Sequence, residues 1–186
     1  MNDVLNTILK RRSTRAFGPD QIKEEELAPL LEAARFAPSG MNRQPWHFTV
    51  VQKPETLDRI NEACRQVLLG SGVKAMEDRA KGNQFSIFYQ APTLILVAVD
   101  EQVHTGKCDG AVALENMFLA AESMGLGSCW IHAVTLIFNG EANQDLRKEL
   151  GIPEGYGLVG SGAFGYKAVA SQAAAPRKEN TVTIIK

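Results

Sequence analysis

From Asp109 to Met124 almost every position is apolar, and the polar exceptions fall in pairs seven residues apart, Glu115 with Glu122 and Asn116 with Ser123. On a helix that spacing confines polarity to one narrow stripe, so the helix must be covered nearly all round. The length of 186 residues gives a prior of one domain spanning 1–186. Size scaling allows such a chain to bury about 70% of its unfolded surface. Two arrangements therefore satisfy the helix: it is central within its own chain, or it packs against a second subunit.

The other elements follow from local pattern. TLILVAV at 93–99 is a continuous apolar run of strand length, which predicts a central strand covered on both faces. WHFTVVQ at 46–52 is rich in β-branched and aromatic residues and reads as a strand. Helical spacing predicts a short first helix through Val4, Leu5, Ile8 and Leu9. A second runs through Leu27, Leu30, Leu31 and Ala34, with acidic Glu24 to Glu26 on its first turn and Pro38 and Gly40 closing it. A third spans 54–69 through Leu57, Ile60, Cys64, Val67 and Leu68. Residues 141–150 make a further short helix, YGLVGSGAF another strand and TVTIIK a last strand, while 70–90 has no clear pattern. Strands and helices mix without a βαβ rhythm, which predicts an α+β fold.

Charge and motif content exclude several classes. Twenty Lys and Arg against twenty-one Asp and Glu leave a net charge of -1, so no global basic field for nucleic acid exists and an anion site must be local. The longest apolar run, 91–99, is well short of the roughly 18–20 residues of a membrane span. The N-terminus reads as a helix rather than a leader, because Asp3 precedes the first basic residue. Cys64, Cys108 and Cys129 lack CxxC spacing, which points to a reducing cytoplasm, and His47, His104 and His132 lack metal-ligand spacing. GSGAFG at 160–165 matches GxGxxG, yet too little chain follows for a second parallel strand with its acidic residue.

Three segments remain as candidate chemistry. Lys10-Arg11-Arg12-Ser13-Thr14-Arg15 concentrates four cations and two hydroxyls; it is either a solvated face or a grip for a phosphomonoester, since guanidinium forks hold phosphate oxygens bidentately. The loop from Ala37 to Trp46 carries Asn42 and Gln44 between two prolines. Its amides offer both donor and acceptor to a heterocycle edge such as the pyrimidine part of a flavin, or it is a plain turn. Gly125 to Ile131 turns from a helix into a strand, which by itself is an ordinary C-cap.

In this order, RRSTRAF, APSGMNRQPWHF, FYQAPTLIL, ALENMFLAAESMGLGSCWI and a C-terminal PRK resemble the signature segments of the FMN-dependent nitroreductase family over nearly the whole chain. The resemblance implies an α+β fold with a central, mostly antiparallel sheet flanked by helices. It also implies an intertwined homodimer with C-terminal arm exchange and two FMN sites at the interface, with the 109–124 helix as the dimer helix. Arg11, Arg12, Ser13 and Arg15 match the positions that hold the phosphate, the ribityl chain and the edge near flavin nitrogen 1. Pro38, Ser39, Gly40 and Asn42 match the loop that the other subunit contributes. Ile131, His132 and Ala133 match the segment lining the ring near nitrogen 5, with His132 acting through its backbone N–H. Arg177, with Lys178 beside it, matches the C-terminal phosphate ligand. Lys74 is a candidate second cation, and Phe85, Phe88 and Tyr89 are candidate lid residues.

The implied activity is transfer of two electrons from NADH or NADPH, by a ping-pong scheme, to a small aromatic acceptor such as a nitro compound or quinone. FMN carries the chemistry, so no side-chain acid or base and no metal is required. Two rivals are a same-fold specialist, dehalogenating or flavin-cleaving, and a non-catalytic phosphate or nucleotide binder built on RRSTR. The latter has no need for a second site of amides and apolar groups.

Overall fold

The computed structural model describes residues 2–138 and 143–186. In chain order the elements are α1 (Asp3–Lys10), α2 (Glu24–Arg35), a 3-10 turn (Gly40–Asn42), β1 (Trp46–Val51), α3 (Pro54–Leu69), α4 (Lys74–Ala80) and β2 (Thr93–Asp100). They continue with α5 (Gly106–Ser123), β3 (Leu126–Ile131), α6 (Thr135–Phe138), α7 (Gln144–Glu149) and β4 (Tyr156–Tyr166). The strands form a sheet of order β1-β2-β4-β3, and each neighbouring pair is antiparallel.

The apolar run of β2 is explained by its place inside the sheet, with both faces covered. Leu94, Leu96 and Ala98 face a core completed by α3 and α6, including Ile60, Cys64 and Phe138. Ile95 and Val97 face the opposite core, where Leu30 of α2 packs with Ala113, Leu114, Met117 and Phe118 of α5. The period of two thus divides one strand between two hydrophobic layers. The GSGAFG segment lies within β4, paired antiparallel on both sides, so it forms no dinucleotide-binding turn.

Helix α5 is longer than 109–124 at its start, and within one chain it is buried on only one side. Ala113, Leu114, Met117 and Ala121 are enclosed, whereas Val112 is 40% exposed and Cys108 faces solvent. The sheet and α2 cover one flank and α1 touches the helix as well, while Cys108 and Val112 stay uncovered by the described residues. Its polar stripe is engaged: Glu115 pairs with Arg11 at 3.5 Å, Glu122 with Lys167 at 2.8 Å, and Asn116 donates to the Ala33 carbonyl at 2.9 Å. Gly125, at φ +78°, closes the helix in the left-handed conformation and redirects the chain into β3.

Two expectations are corrected. Residues 181–186 form no strand; they are exposed and pair with no strand among the described residues, because β-branched composition supplies a propensity and not a partner. The unassigned stretch 70–90 contains α4, whose only buried residue is Ala80, too little apolar content to show a helical period. Of the helix expected at 141–150, residues 141 and 142 lie outside the described residues, and α7 occupies 144–149.

Candidate functional site

The segment following α1 is clipped along the β3 side of the sheet. Ser13 bridges Ser128 in parallel, and Thr14 donates its N–H to the Ser128 carbonyl at 2.8 Å. Thr14 is buried against Gly127, where an added Cβ would lie 2.8 Å from the threonine methyl. Strand alternation then sends Ser13 and Arg15 outward. The chain end is secured beside it: Phe17 bridges Lys167, and Ala168 donates to the Ala16 carbonyl at 3.0 Å.

Between these two segments opens a cleft of about 780 Å³, bounded by Arg11–Ala16 on one wall and residues 169–175 with Arg177 on the other. None of the residues lining that second wall or the first is acidic. Arg11 has Glu115 as its partner, but among the described residues Arg12, Arg15 and Arg177 have no carboxylate within 4.0 Å. Arg12 donates from Nη1 to the Arg11 carbonyl, while its Nε is buried with no acceptor among the described residues. Buried polar groups are nearly always hydrogen-bonded, so an orphaned guanidinium N–H in a cleft without acids marks a place for an anion. The cations also reach the strand beneath: burial pushes the Cys129 thiol upward, opposed by the Arg15 charge, a hydrogen bond with Ser13 and the Arg11 charge.

The structure brings Arg11, Arg12, Ser13, Arg15 and Arg177 together. It does not bring the other candidates into that cleft within one chain. Pro38, Ser39, Gly40 and Asn42 form a separate outward loop, tied to Asp109 by the Gly40 N–H at 3.2 and 3.3 Å. Ile131 ends β3, its carbonyl accepting the Ser161 hydroxyl at 2.9 Å; His132 is exposed and Ala133 half-buried just beyond. Lys178 is exposed outside the cleft lining, and Lys74 pairs with Asp78 at 2.8 Å.

The lid candidates separate. Phe88 is a core residue, and Phe85 packs on the core with the Arg65 guanidinium 5.4 Å from its ring centre. Tyr89 also packs on the core, but it has Arg15 at 5.9 Å and Arg79 at 5.8 Å from its ring centre and occupies the left-handed region at φ +58°. The alanine-rich wall at 169–175, the Thr14–Gly127 contact and the Asp109 anchor were not legible in the sequence. The wall has no periodicity, and the other two are contacts between distant segments.

Fold and cleft together define a class: an α+β protein whose antiparallel sheet, flanked by helices, carries an arginine-lined cleft with no acidic residue in its lining. The model of the Nitroreductase family matches residues 8–166, and the chain belongs to that family. An Archaeoglobus fulgidus protein named as an NADH dehydrogenase/NAD(P)H nitroreductase is 33% identical over 168 residues, covering 89% of this chain and 86% of that one. A solved nitroreductase with bound FMN from Bacteroides fragilis is 37% identical, covers 100% of both chains and superposes with a TM-score of 0.93. Another with bound FMN, from Desulfitobacterium hafniense, is 29% identical over 100% of both chains, with a TM-score of 0.91. Among the described residues no helix is long and apolar enough to cross a membrane.

Proposed function

We propose that this chain, acting as one unit over 1–186, is an FMN-dependent NAD(P)H oxidoreductase that works as a homodimer and delivers two electrons to a small aromatic acceptor. The observation that carries the reading is the cleft between Arg11–Arg15 and Arg177, with its acid-free lining and the orphaned Nε of Arg12. A terminal phosphate fits that donor set: Arg12 and Arg177 supply charged N–H groups, and Arg11 and Ser13 stand beside them. Arg15 holds a positive charge near the polar edge of the ring. Ile131, His132 and Ala133 line the ring through backbone. When bound, FMN supplies the two-electron chemistry, and the protein binds, orients and shields it.

The homodimer is supported by surface left unfinished in one chain. The accessible area of 11,223 Å² is more than a quarter above the roughly 8,800 Å² expected for a compact monomer of this mass. Its exposed apolar groups include Val112 on α5, Phe36, and Val182 and Ile184 on the C-terminal arm. A second chain covers these, and its Pro38, Ser39, Gly40 and Asn42 loop completes the flavin site.

Donor and acceptor use the same open side of the site in turn, so the kinetics are ping-pong. Stopped-flow reduction of the flavin-loaded protein with NADH and with NADPH, followed by mixing with nitroaromatics and quinones, tests the reading. It predicts flavin bleaching by at least one nucleotide without acceptor, then recovery of colour on adding acceptor. A flavin that neither nucleotide bleaches would overturn it.

A further inference from the structure

Asp109, on the first turn of α5, is 6% exposed. Its two oxygens accept the Gly40 N–H at 3.3 and 3.2 Å, and Oδ2 also accepts the Thr105 hydroxyl at 2.8 Å. The helix N-terminus favours a negative charge there. A Cβ at Gly40 would collide with the Thr105 side chain, so the loop backbone lies directly on the Thr105–Asp109 pair.

The loop so held is a strained one. Met41, Asn42 and Gln44 all carry left-handed backbone, at φ 53°, 54° and 48°, although each has a Cβ. Such conformations persist where the surroundings over-determine them, and they cluster at ligand clamps. Bonds within the loop close the turn on itself: Asn42 N–H to the Ser39 carbonyl at 3.0 Å, and Gln44 N–H to Ser39 Oγ at 3.0 Å. The Gly40–Asp109 bonds tie the turn's middle to the rest of the protein. Met41 is 89% exposed and none of the loop lines its own chain's cleft, so its shape is maintained toward the outside.

We infer that Asp109 is a positioning residue acting in trans: by fixing Ser39–Asn42, it shapes the loop of one protomer that completes the flavin site of its partner. This rests on the dimeric FMN reading above. It adds a buried carboxylate that touches no cofactor, and it makes the α5 N-terminus of one chain part of the affinity of the other chain's site.

The test is complementation in mixed dimers, read by flavin fluorescence titration and FMN stoichiometry rather than by turnover. One tagged chain carries Asp109→Asn, the other Arg12→Ala. Each variant homodimer should bind FMN roughly tenfold or more weakly than wild type, the scale of losing a hydrogen bond to a charged group. The mixed dimer pairs the intact arginine cleft of the first chain with the intact loop of the second, so it should regain one tight FMN per dimer. Thr105→Val, which removes only the hydroxyl donor to Asp109, should behave as a milder Asp109→Asn and replaces it if that variant does not fold. Mixed dimers with no tight site, or Asp109→Asn homodimers with wild-type affinity, would overturn the inference. Wild-type protein that takes up no FMN, or holds it as a monomer, would overturn the underlying reading and the inference with it.

Discussion

Replacing Arg12 with alanine should shift apoprotein stability and FMN affinity in different ways, because its guanidinium is poorly satisfied without an anion. Nη1 donates to the Arg11 carbonyl, and Nε is buried without an acceptor among the described residues. An unsatisfied buried donor costs about 1–3 kcal/mol, whereas an ordinary hydrogen bond contributes about 1 kcal/mol. Deleting the side chain removes both, so apoprotein stability should stay unchanged or rise by up to about 2 kcal/mol. A hydrogen bond to a charged group is worth about 1.5–3 kcal/mol, so FMN should bind about 12- to 150-fold more weakly. Riboflavin, which has no phosphate, should lose far less. Urea denaturation of the apoprotein and fluorescence titration with both flavins read these quantities. Equal losses for both flavins would refute the argument, as would an apoprotein destabilised by several kcal/mol with FMN affinity intact.

Arg15→Gln keeps a donor but removes the charge of a side chain that has a tyrosine ring rather than a carboxylate beside it. If the charge favours the reduced flavin by about 1.4 kcal/mol, the two-electron midpoint should fall by about 30 mV in spectroelectrochemical titration; an unchanged midpoint at full flavin occupancy refutes this. Gly127→Ala would place a Cβ 2.8 Å from Thr14 and push the Arg11–Arg15 segment off β3. It should cost about 1–3 kcal/mol of stability and weaken FMN as well, and a variant unchanged in both breaks the proposed link. Glu26 accepts the Tyr166 hydroxyl at 2.6 Å and the Lys23 N–H at 2.8 Å, which hold its carboxyl below the ordinary 4.5. That stability is fully present above pH 4.5 and is lost as pH falls through the lower folded value. Tyr166→Phe should therefore flatten the acid limb of a Tm–pH curve, and an unaltered slope counts against it.

Elements whose pattern records their own burial were legible in the sequence. The continuous apolar run of β2 and the helical spacing of α3 follow from faces buried inside this chain, and β1 was located by its β-branched and aromatic content although only Val51 of it is buried. Helix α4 was missed because one buried residue leaves no period to detect. TVTIIK has strand composition yet joins no strand among the described residues, since composition records a propensity and pairing depends on a neighbour. The exposed flank of α5 has the same origin: its apolar pattern matches more cover than one chain provides. In the site, the arginines stood out as a local concentration of charge. Their assembly with Arg177 depends on the Phe17–Lys167 bridge, and the hold of Asp109 on Gly40 spans 69 positions, so neither contact leaves a local signal.

The central claim is that the cleft between Arg11–Arg15 and Arg177 holds the phosphate of FMN. A crystal structure of the protein grown with excess FMN tests it most directly. The account predicts the phosphate in contact with the Arg12 and Arg177 guanidiniums, with Arg12 Nε no longer orphaned and the 38–42 loop of the second protomer against the same flavin. A flavin bound elsewhere, or this cleft empty at saturating FMN, would contradict it.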